Sequence, residues 1–392
     1  MAPNKPALTI GLEEELFLID SKSGALCSSW PQQFSDDCTR KYPDQIVHEF
    51  LNCQVELISS PHQSIGELHK EFRQLRAHLI KTANEYGMDP IAASTHPAAD
   101  WREQSRSESD RYTRLEHDLQ LSAKRMLIGG MHIHIGVEEP NQRVQLLNYL
   151  TAYLPLILCL STSSPFWTGI DSGLNSSRLS VLQSLPRSGL PEKIQSYESY
   201  QRYVDTLIQG DVIESAKEIW WDIRLNAHYP TVEVRIADTC SLIEDVMALC
   251  ALVQSLSHHF MVGDKKAFFN QDRLLVQENR WRAQRYSMND GGFLLTQAGS
   301  RKEWVSLVDE LIVLLHDDAQ ALNCHHYLNQ LKNITTHGTS ADKQRRVYSD
   351  AIQAGCSQTD ALGKVVNLLK EETAREVVTK VPQKKTPEVE LV

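Results

Sequence analysis

The sequence predicts an α+β fold, because segments with strand periodicity and segments with helix periodicity alternate along the chain without a fixed repeat. Four of the strand-like segments also share a pattern, with one apolar face and one face of carboxylate, imidazole or amide groups. No linker rich in Pro, Gly or Ser divides the chain. We therefore predict a single domain over residues 1–379, followed by a mobile tail over 380–392 that is rich in Lys, Pro and Glu.

The bulk composition excludes several classes of protein. The 392 residues are 41% hydrophobic and 23% charged, with a net charge of −10. An acidic chain argues against nucleic acid or an anionic membrane as the partner, since both favour clustered Lys and Arg. The eight cysteines form no CxxC pair, the N-terminus lacks the pattern of a signal peptide, and the longest apolar run, Leu154–Leu160, is too short to span a bilayer. We expect a cytoplasmic protein with reduced thiols.

Helical periodicity is clearest in His62–Tyr86, where Ile65, Leu68 and Phe72 recur at three- and four-residue spacing. Gly87 follows as a helix stop. Similar patterns predict helices over Arg143–Leu160, Glu192–Gln209, Ile243–Val262, Arg301–Leu322 and Thr359–Val378.

The polar faces of the four predicted strands carry the most informative residues. Successive side chains of a strand point to opposite faces, so odd and even positions separate. In Leu8–Ile19 the even positions are apolar apart from Glu14, and the odd positions include Glu13 and Glu15. The polar faces of the other three carry Gln54 and Glu56 in Asn52–Ile58, His132 and His134 in Met131–Val137, and Glu233 and Arg235 in Thr231–Asp238.

Two interpretations of these faces compete. A solvated sheet face is the ordinary explanation of any single strand, and a lone His pair is ordinarily part of a core. Together, however, the four faces offer one cation, Arg235, to several carboxylates, and like charges opposite one another are unfavourable. If the strands are neighbours, a site for a hard divalent metal such as Mg²⁺ or Mn²⁺ is favoured.

Two further segments suggest anion binding. Ser161–Arg178 is rich in Ser, Thr and Gly and ends in an arginine, which suits carboxylate or phosphate oxygens, although a surface loop with incidental hydroxyls is an equal alternative. Glu278–Tyr286 places Arg282 and Arg285 three residues apart on a predicted helix, where they could reach one anion or simply be solvated. The chain has no GxxxxGK[ST] loop, GxGxxG fingerprint or GxSxG elbow.

Several motifs in one order resemble those of a known family. They are GLEEELFLID, QVELISSP, GGMHIHIGV, SSPFWTGIDSGLNSSR, LPRSGLP, WWDIRLNAHYPTVEVRIADT and ENRWRAQRY. This set resembles the YbdK-like carboxylate–amine ligases of the type 2 glutamate–cysteine ligase family, over about Leu8 to Leu369. Ser287 stands where many relatives have glycine.

The resemblance implies a curved antiparallel sheet flanked by helices, shared with glutamine synthetase and the guanidino kinases, with the site on the concave face. It implies an arginine for phosphate or carboxylate at Arg235, a substrate arginine at Arg178, and nucleotide contacts from Arg282 and Arg285. The metal ligands that it implies are Glu13, Glu15, Glu56, His132, His134 and Glu233.

The implied reaction is ATP-dependent amide formation with Mg²⁺ or Mn²⁺. Glutamate or a related acid would be phosphorylated to an acyl phosphate, and an amine or amino acid would displace the phosphate. Many relatives have only weak activity with cysteine. A guanidino-type kinase and a catalytically silent metabolite-binding protein on the same fold are the alternatives. The partners are then small molecules, and the sequence leaves the oligomeric state open, a homodimer being one option.

Overall fold

A seven-stranded antiparallel sheet forms the centre of this computed structural model, which describes residues 8–105, 110–263, 272–289, 291–375 and 377. The side chains of 110–112 are outside that description. The strands are β1 Ile10–Asp20, β2 Ile46–His48, β3 Gln54–Ile58, β4 Met88–Ile91, β5 Met131–Gly136, β6 Ile223–Leu225 and β7 Thr231–Val234. Their order is β6-β7-β5-β1-β3-β2, and β4 pairs with the end of β1 beyond β5. The predicted antiparallel sheet is confirmed.

The first strand shows why the sheet has two different faces. Leu12, Leu16 and Leu18 of β1 are buried in the main hydrophobic core, together with alternate residues of β3, β5 and β7. Glu14 lies on this same apolar side and is fully buried. The odd positions of β1 face the opposite way, so the alternation predicted from the sequence places Glu13 and Glu15 on the polar face.

Sixteen helices flank the sheet in the described part of the chain. They are α1 Gln32–Lys41, α2 Ile65–Glu85, α3 Asp110–Leu119, α4 Leu121–Lys124, α5 Pro140–Thr151, α6 Leu154–Ser161, α7 Arg178–Leu182, α8 Tyr197–Gln209, α9 Ile243–Val262, α10 Arg273–Tyr286, α11 Trp304–Leu314, α12 His316–Ala321, α13 His325–Asn329, α14 Leu331–His337, α15 Ser340–Gln353 and α16 Gln358–Ala374. Helices α2 and α9 pack against β1 and against each other. Ser64 caps α2 by accepting a hydrogen bond from the backbone N–H of Glu67, which fixes where this helix begins.

Two predicted helices are interrupted in the structure. The prediction of one helix over Arg143–Leu160 is wrong: α5 ends at Thr151 and α6 begins at Leu154, with a bend of 61° between them. Pro155 explains the break, because its ring lacks an N–H and clashes with the carbonyl group four residues earlier, that of Thr151. The segment Arg301–Leu322 likewise contains a short strand and then two helices that meet at Leu315.

The predicted tail, 380–392, lies outside the described residues, so the division of the chain near residue 379 stays a prediction. Helix α9 is long and apolar enough to cross a membrane by length and composition alone, but most of it is buried among the other elements. Burial of that kind is what the core helix of a folded domain shows.

Candidate active site

The polar face of the sheet gathers its carboxylates and histidines through strand register. Residues directly opposite on antiparallel strands lie on the same face with their Cβ atoms about 4.5–5.5 Å apart. Glu13 of β1 faces His132 of β5, and Glu15 of β1 faces Glu56 of β3. His134 of β5 faces Glu233 of β7. All six predicted metal ligands therefore lie on one face.

Glu13 joins the two histidines. Its carboxylate oxygens lie 3.0 Å from His132 Nδ1 and 3.2 Å from His134 Nε2. Burial opposes ionisation of Glu13, but the two neighbouring histidines outweigh it and hold its pKa well below the usual value. Burial and the nearby Arg235 lower the pKa of His132 to about 4, so this imidazole is neutral at pH 7 and has a lone pair for a metal.

In a second group of carboxylates the pKa values are raised, in contrast to that of Glu13. One oxygen from each of Glu15, Glu49 and Glu56 lies within 4.8 Å of the others. Burial, reinforced by Glu49, raises the pKa of Glu15 to about 8 and that of Glu56 well above its usual value. The backbone N–H of Gly130 donates to Glu15 at 2.7 Å. These three acids repel one another unless protons or cations are taken up between them.

Arginines surround the remaining carboxylate, Glu233. Arg224 of β6 donates through Nε and Nη2 to its two oxygens at 2.8 and 3.0 Å, and Arg235 donates to it as well. Burial opposes ionisation of Glu233, but Arg235 and Arg224 outweigh it, so its pKa is well below the usual value. Arg235 Nη1 lies 3.3 Å from His132 Nδ1, while its buried Nε has no hydrogen-bond partner among the described residues.

The Ser-rich loop binds a carboxylate of the chain itself. Asp238, fully buried, accepts hydrogen bonds from the hydroxyls of Ser164 and Ser176 and from the backbone N–H of Ser163. Burial raises the pKa of Asp238, although Arg178 and these donors oppose the shift. The hydroxyls of Ser164 and Ser176 are therefore part of the scaffold beside the site.

Arg178, which ends this loop, is held by backbone carbonyl groups. Its guanidinium donates to the carbonyl oxygens of Ile236 and Arg235 at 3.2 and 3.0 Å. A side chain at Gly130 would overlap this guanidinium, so the close approach requires glycine there. Glu15 and Arg178 thus both lie against Gly130.

A cavity of about 310 Å³ opens over the polar face. Its polar floor contains Glu13, Glu15, Glu49, Glu56, His132, Arg178 and Arg235. One wall is apolar and is built largely by Leu115, Leu119, Ala123 and Met126 from α3, α4 and the residues after them. The lining also includes Lys217 and residues 226–229 of the β6–β7 turn.

The structure does not bring Arg282 and Arg285 to this cavity. Arg282 donates to the carbonyl group of Gly291, and its guanidinium lies 3.5 Å from the centre of the Phe293 ring. Arg285 lines a separate cavity of about 510 Å³ together with Asn175 and Arg345. The two side chains have different surroundings, so their joint binding of a nucleotide gains no support from this geometry and stays a prediction.

The same helix contributes through its buried face instead. Arg280 donates through Nε and Nη2 to the two oxygens of Asp222, at 2.6 and 3.1 Å, and both residues are buried. The carbonyl group of Asp222 accepts from the backbone N–H of Arg235 at 2.8 Å. Gln284 donates to Ser176 and Ser180 in and after the Ser-rich loop. Helix α10 therefore connects the segments that carry Arg178 and Arg235.

Comparisons with known proteins agree with this architecture. The family model described as glutamate–cysteine ligase family 2 matches residues 9–371. A relative named "putative glutamate–cysteine ligase 2" in Jannaschia sp. (strain CCS1) is 41% identical over 366 residues, covering 93% of this chain and 96% of the relative. A protein of the same name in Rhodospirillum rubrum is 38% identical over 371 residues, 93% and 95% of the two chains.

Among solved structures, a glutamate–cysteine ligase from Francisella tularensis in complex with AMP superimposes with a TM-score of 0.67. It is 15% identical and the match covers 95% of this chain and 90% of that one. The likeness confirms the predicted fold class.

Proposed function

This chain belongs to glutamate–cysteine ligase family 2 and is an ATP-dependent carboxylate–amine ligase, and we propose that it forms a γ-glutamyl-type amide through an acyl phosphate. Its substrates are small molecules. The observation that supports the mechanism best is that three carboxylates, Glu15, Glu49 and Glu56, gather in the cavity that Arg235 also lines.

The chemistry of the donor set fits a hard divalent metal. Carboxylate oxygens predominate, two imidazoles accompany them, and the described cysteines do not line the cavity. Oxygen-rich sets of this type favour Mg²⁺ or Mn²⁺ over zinc. We propose that Glu13, Glu15, Glu56, Glu233, His132 and His134, joined by Glu49, hold such ions. When bound, the ions would neutralise phosphate charge.

The proposed reaction has two steps. A carboxylate oxygen of the acid substrate attacks the γ-phosphorus of ATP, the bond from that phosphorus to the β-bridging oxygen breaks, and ADP leaves. The amine nitrogen then attacks the acyl carbon, the bond from carbon to the phosphate oxygen breaks, inorganic phosphate leaves, and the nitrogen loses one proton to that phosphate or to solvent. Phosphorylation supplies the leaving group that a carboxylate lacks, and this route requires no covalent bond to the enzyme.

We assign Arg235 the role of stabilising the negative charge that develops on the transferring phosphoryl group. Its guanidinium is oriented by Glu233, lies beside His132 and lines the cavity. Donors that are fixed in place before the reaction contribute most to stabilising a transition state. Arg178 is assigned a substrate-positioning role at the wall of the same cavity.

Hydroxylamine tests the acyl phosphate without knowledge of the natural amine. The protein is incubated with ATP, Mg²⁺, hydroxylamine and a panel of carboxylic acids beginning with glutamate, and hydroxamate and ADP are quantified. We expect equal amounts of both products, dependent on ATP and on the acid. ADP without hydroxamate across the panel would indicate a guanidino-type kinase or an ATPase, and neither product from folded, metal-loaded protein would indicate a silent binding protein.

A further inference from the structure

A second cavity of about 230 Å³ adjoins the first and shares three lining residues with it: Leu115, Lys217 and His228. Its lining is mixed in charge, with Arg114 opposite the acids Glu214 and Glu218. Lys217 therefore stands where the two cavities meet, at the mouth of the carboxylate-lined site.

Lys217 differs from the other cations of the larger cavity. Arg224 is bound to Glu233, Arg235 donates to the same carboxylate, and Arg178 donates to two carbonyl groups. The ammonium group of Lys217 has no hydrogen bond or ion pair with any residue in the described ranges. A solvated lysine is ordinary on a protein surface, and Lys217 differs in lining both cavities.

The backbone that carries Lys217 is fixed with unusual completeness. Arg224 Nη1 donates to the carbonyl groups of Lys217 and Ile219 at 3.0 and 2.9 Å. Arg187 Nε donates to the carbonyl group between them, that of Glu218, at 3.0 Å. Three consecutive carbonyl groups are thus bound by arginines, and one of these arginines also holds Glu233. Arg224 therefore connects the short 3₁₀ turn Ala216–Glu218 to Glu233, while the side chain of Lys217 is exposed.

The charges of the floor explain what such a lysine would do. The floor gathers four carboxylates, Glu13, Glu15, Glu49 and Glu56, and it disfavours an anionic substrate group that neither a bound metal ion nor one of the floor arginines contacts. A substrate that carries a second anionic group, away from the reacting one, binds more tightly if a cation lies beside that second group. Lys217 is such a cation, since binding an anion there breaks no existing ion pair among the described residues.

We propose that Lys217 binds the non-reacting anionic group of a substrate, a carboxylate or a phosphate, at the mouth of the cavity. This assignment rests on the ligase function proposed above. The two chemical sources are the α-carboxylate of an amino-acid substrate and a phosphate of the nucleotide, and both present anionic oxygens to the same ammonium group.

The test compares Lys217→Met and Lys217→Arg with Lys193→Met, a matched control at an exposed lysine that lines a different cavity. The KM values for ATP, for the acid that gives hydroxamate and for the amine are measured separately. Binding of Mg–ADP and of the acid is measured by calorimetry, without turnover. We expect Lys217→Met to raise KM and Kd about tenfold or more for one substrate, as the loss of a hydrogen bond to a charged group implies, with kcat changed much less. Lys217→Arg should stay near wild type because it restores the charge.

The affected substrate identifies the source. A change confined to ATP and Mg–ADP would assign a phosphate. A change confined to glutamate that disappears with 4-aminobutanoate, which lacks the α-carboxylate, would assign that carboxylate. Unchanged KM and Kd for every substrate would overturn the proposal, as would an equal loss toward all of them with a lowered melting temperature. Wild-type protein that binds neither Mg–ADP nor any acid of the panel would overturn the ligase function, and this assignment with it.

Discussion

Glu13, Glu14 and Glu15 are consecutive on one strand, yet they lie in two contrasting environments. Glu14 faces the core, where Arg76 Nε and Nη2 donate to its two oxygens at 2.9 and 2.7 Å. The other N–H groups of Arg76 reach the carbonyl oxygens of Ser241 and Cys240. Glu15, on the other face, has two carboxylates as neighbours, and its pKa is raised to about 8 by burial and by Glu49.

The contrast separates acids that stabilise the fold from acids that are available for chemistry. Taking a carboxylate out of water costs several kcal/mol, which must be offset by a partner. For Glu14 the chain supplies that partner, as it does for Asp222 through Arg280. Glu15, Glu49 and Glu56 instead lie together, with one oxygen of each within 4.8 Å of the others, and such an arrangement suits the binding of cations from solution.

The largest effect should come from removing the arginine that pairs with the buried Glu14. Arg76→Met leaves Glu14 as an unpaired buried carboxylate, and we expect the free energy of unfolding to fall by about 3–5 kcal/mol. Urea denaturation measures this. Arg40→Met is the matched control, because Arg40 forms an ion pair with Asp37 at 2.7 Å but its side chain is 70% exposed. That control should lose no more than about 1 kcal/mol. Equal losses in the two variants would contradict the distinction.

In the cluster of Glu15, Glu49 and Glu56, the substitution Glu56→Gln should reduce turnover while leaving the fold intact. The substitution removes a ligand charge, and we expect kcat to fall at least about 100-fold, equivalent to about 2.7 kcal/mol of barrier. Turnover is measured in saturating Mg²⁺, and thermal denaturation monitors the fold. Glu85→Gln, at an exposed position of α2, is the control and should change neither. Near-wild-type activity of Glu56→Gln would remove Glu56 from the metal site.

A smaller effect is expected where charge is kept and only geometry is lost. Arg235→Lys retains a cation but cannot present a planar fork to two oxygens, so ATP-dependent hydroxamate formation should fall about tenfold. Arg285→Lys is the control on the same assay, because Arg285 lines another cavity. If Arg285→Lys were equally impaired, the nucleotide contact predicted from the sequence would be restored.

Strand alternation alone predicted which residues share a face within each strand. It put Glu13 and Glu15 together on one face of β1 and the two histidines together on one face of β5, since side-chain direction in a strand depends only on position along the chain. That these faces form one surface depends on strand pairing, which alternation does not give. What it could not predict is which acids the fold neutralises. Glu14 broke the apolar pattern for a reason that appears only when α2 brings Arg76 beneath β1.

The residues that were missed depend on contacts between distant segments. Arg224 alternates with Ile223 and Leu225, so parity could have identified it, but its strand is only three residues long. Glu49 lies in a loop, where no period exists. The Arg280–Asp222 pair joins a helix to the residue just before β6, 58 residues away, and sequence spacing carries no signal for it. In ENRWRAQRY the spacing favoured Arg282 and Arg285, which are half-buried, whereas the buried Arg280 makes the structural connection.

The smallest effect is expected from the cysteines, which belong to neither kind of acid cluster. Six of the eight are buried, and in the described part of the chain none of the eight lines the cavity over the polar face of the sheet. Burial raises the pKa of Cys27 to about 11 and that of Cys53 to about 12, so these thiols are protonated and unreactive at pH 7. Single replacement of each cysteine by alanine should therefore keep kcat within about twofold, although the buried ones will lower the melting temperature. Alkylation of the wild-type protein with iodoacetamide provides a second measurement and should leave hydroxamate formation intact. If one replacement abolished turnover in a folded protein, a thioester or redox mechanism would have to be considered, and the route without a covalent bond to the enzyme would be contradicted.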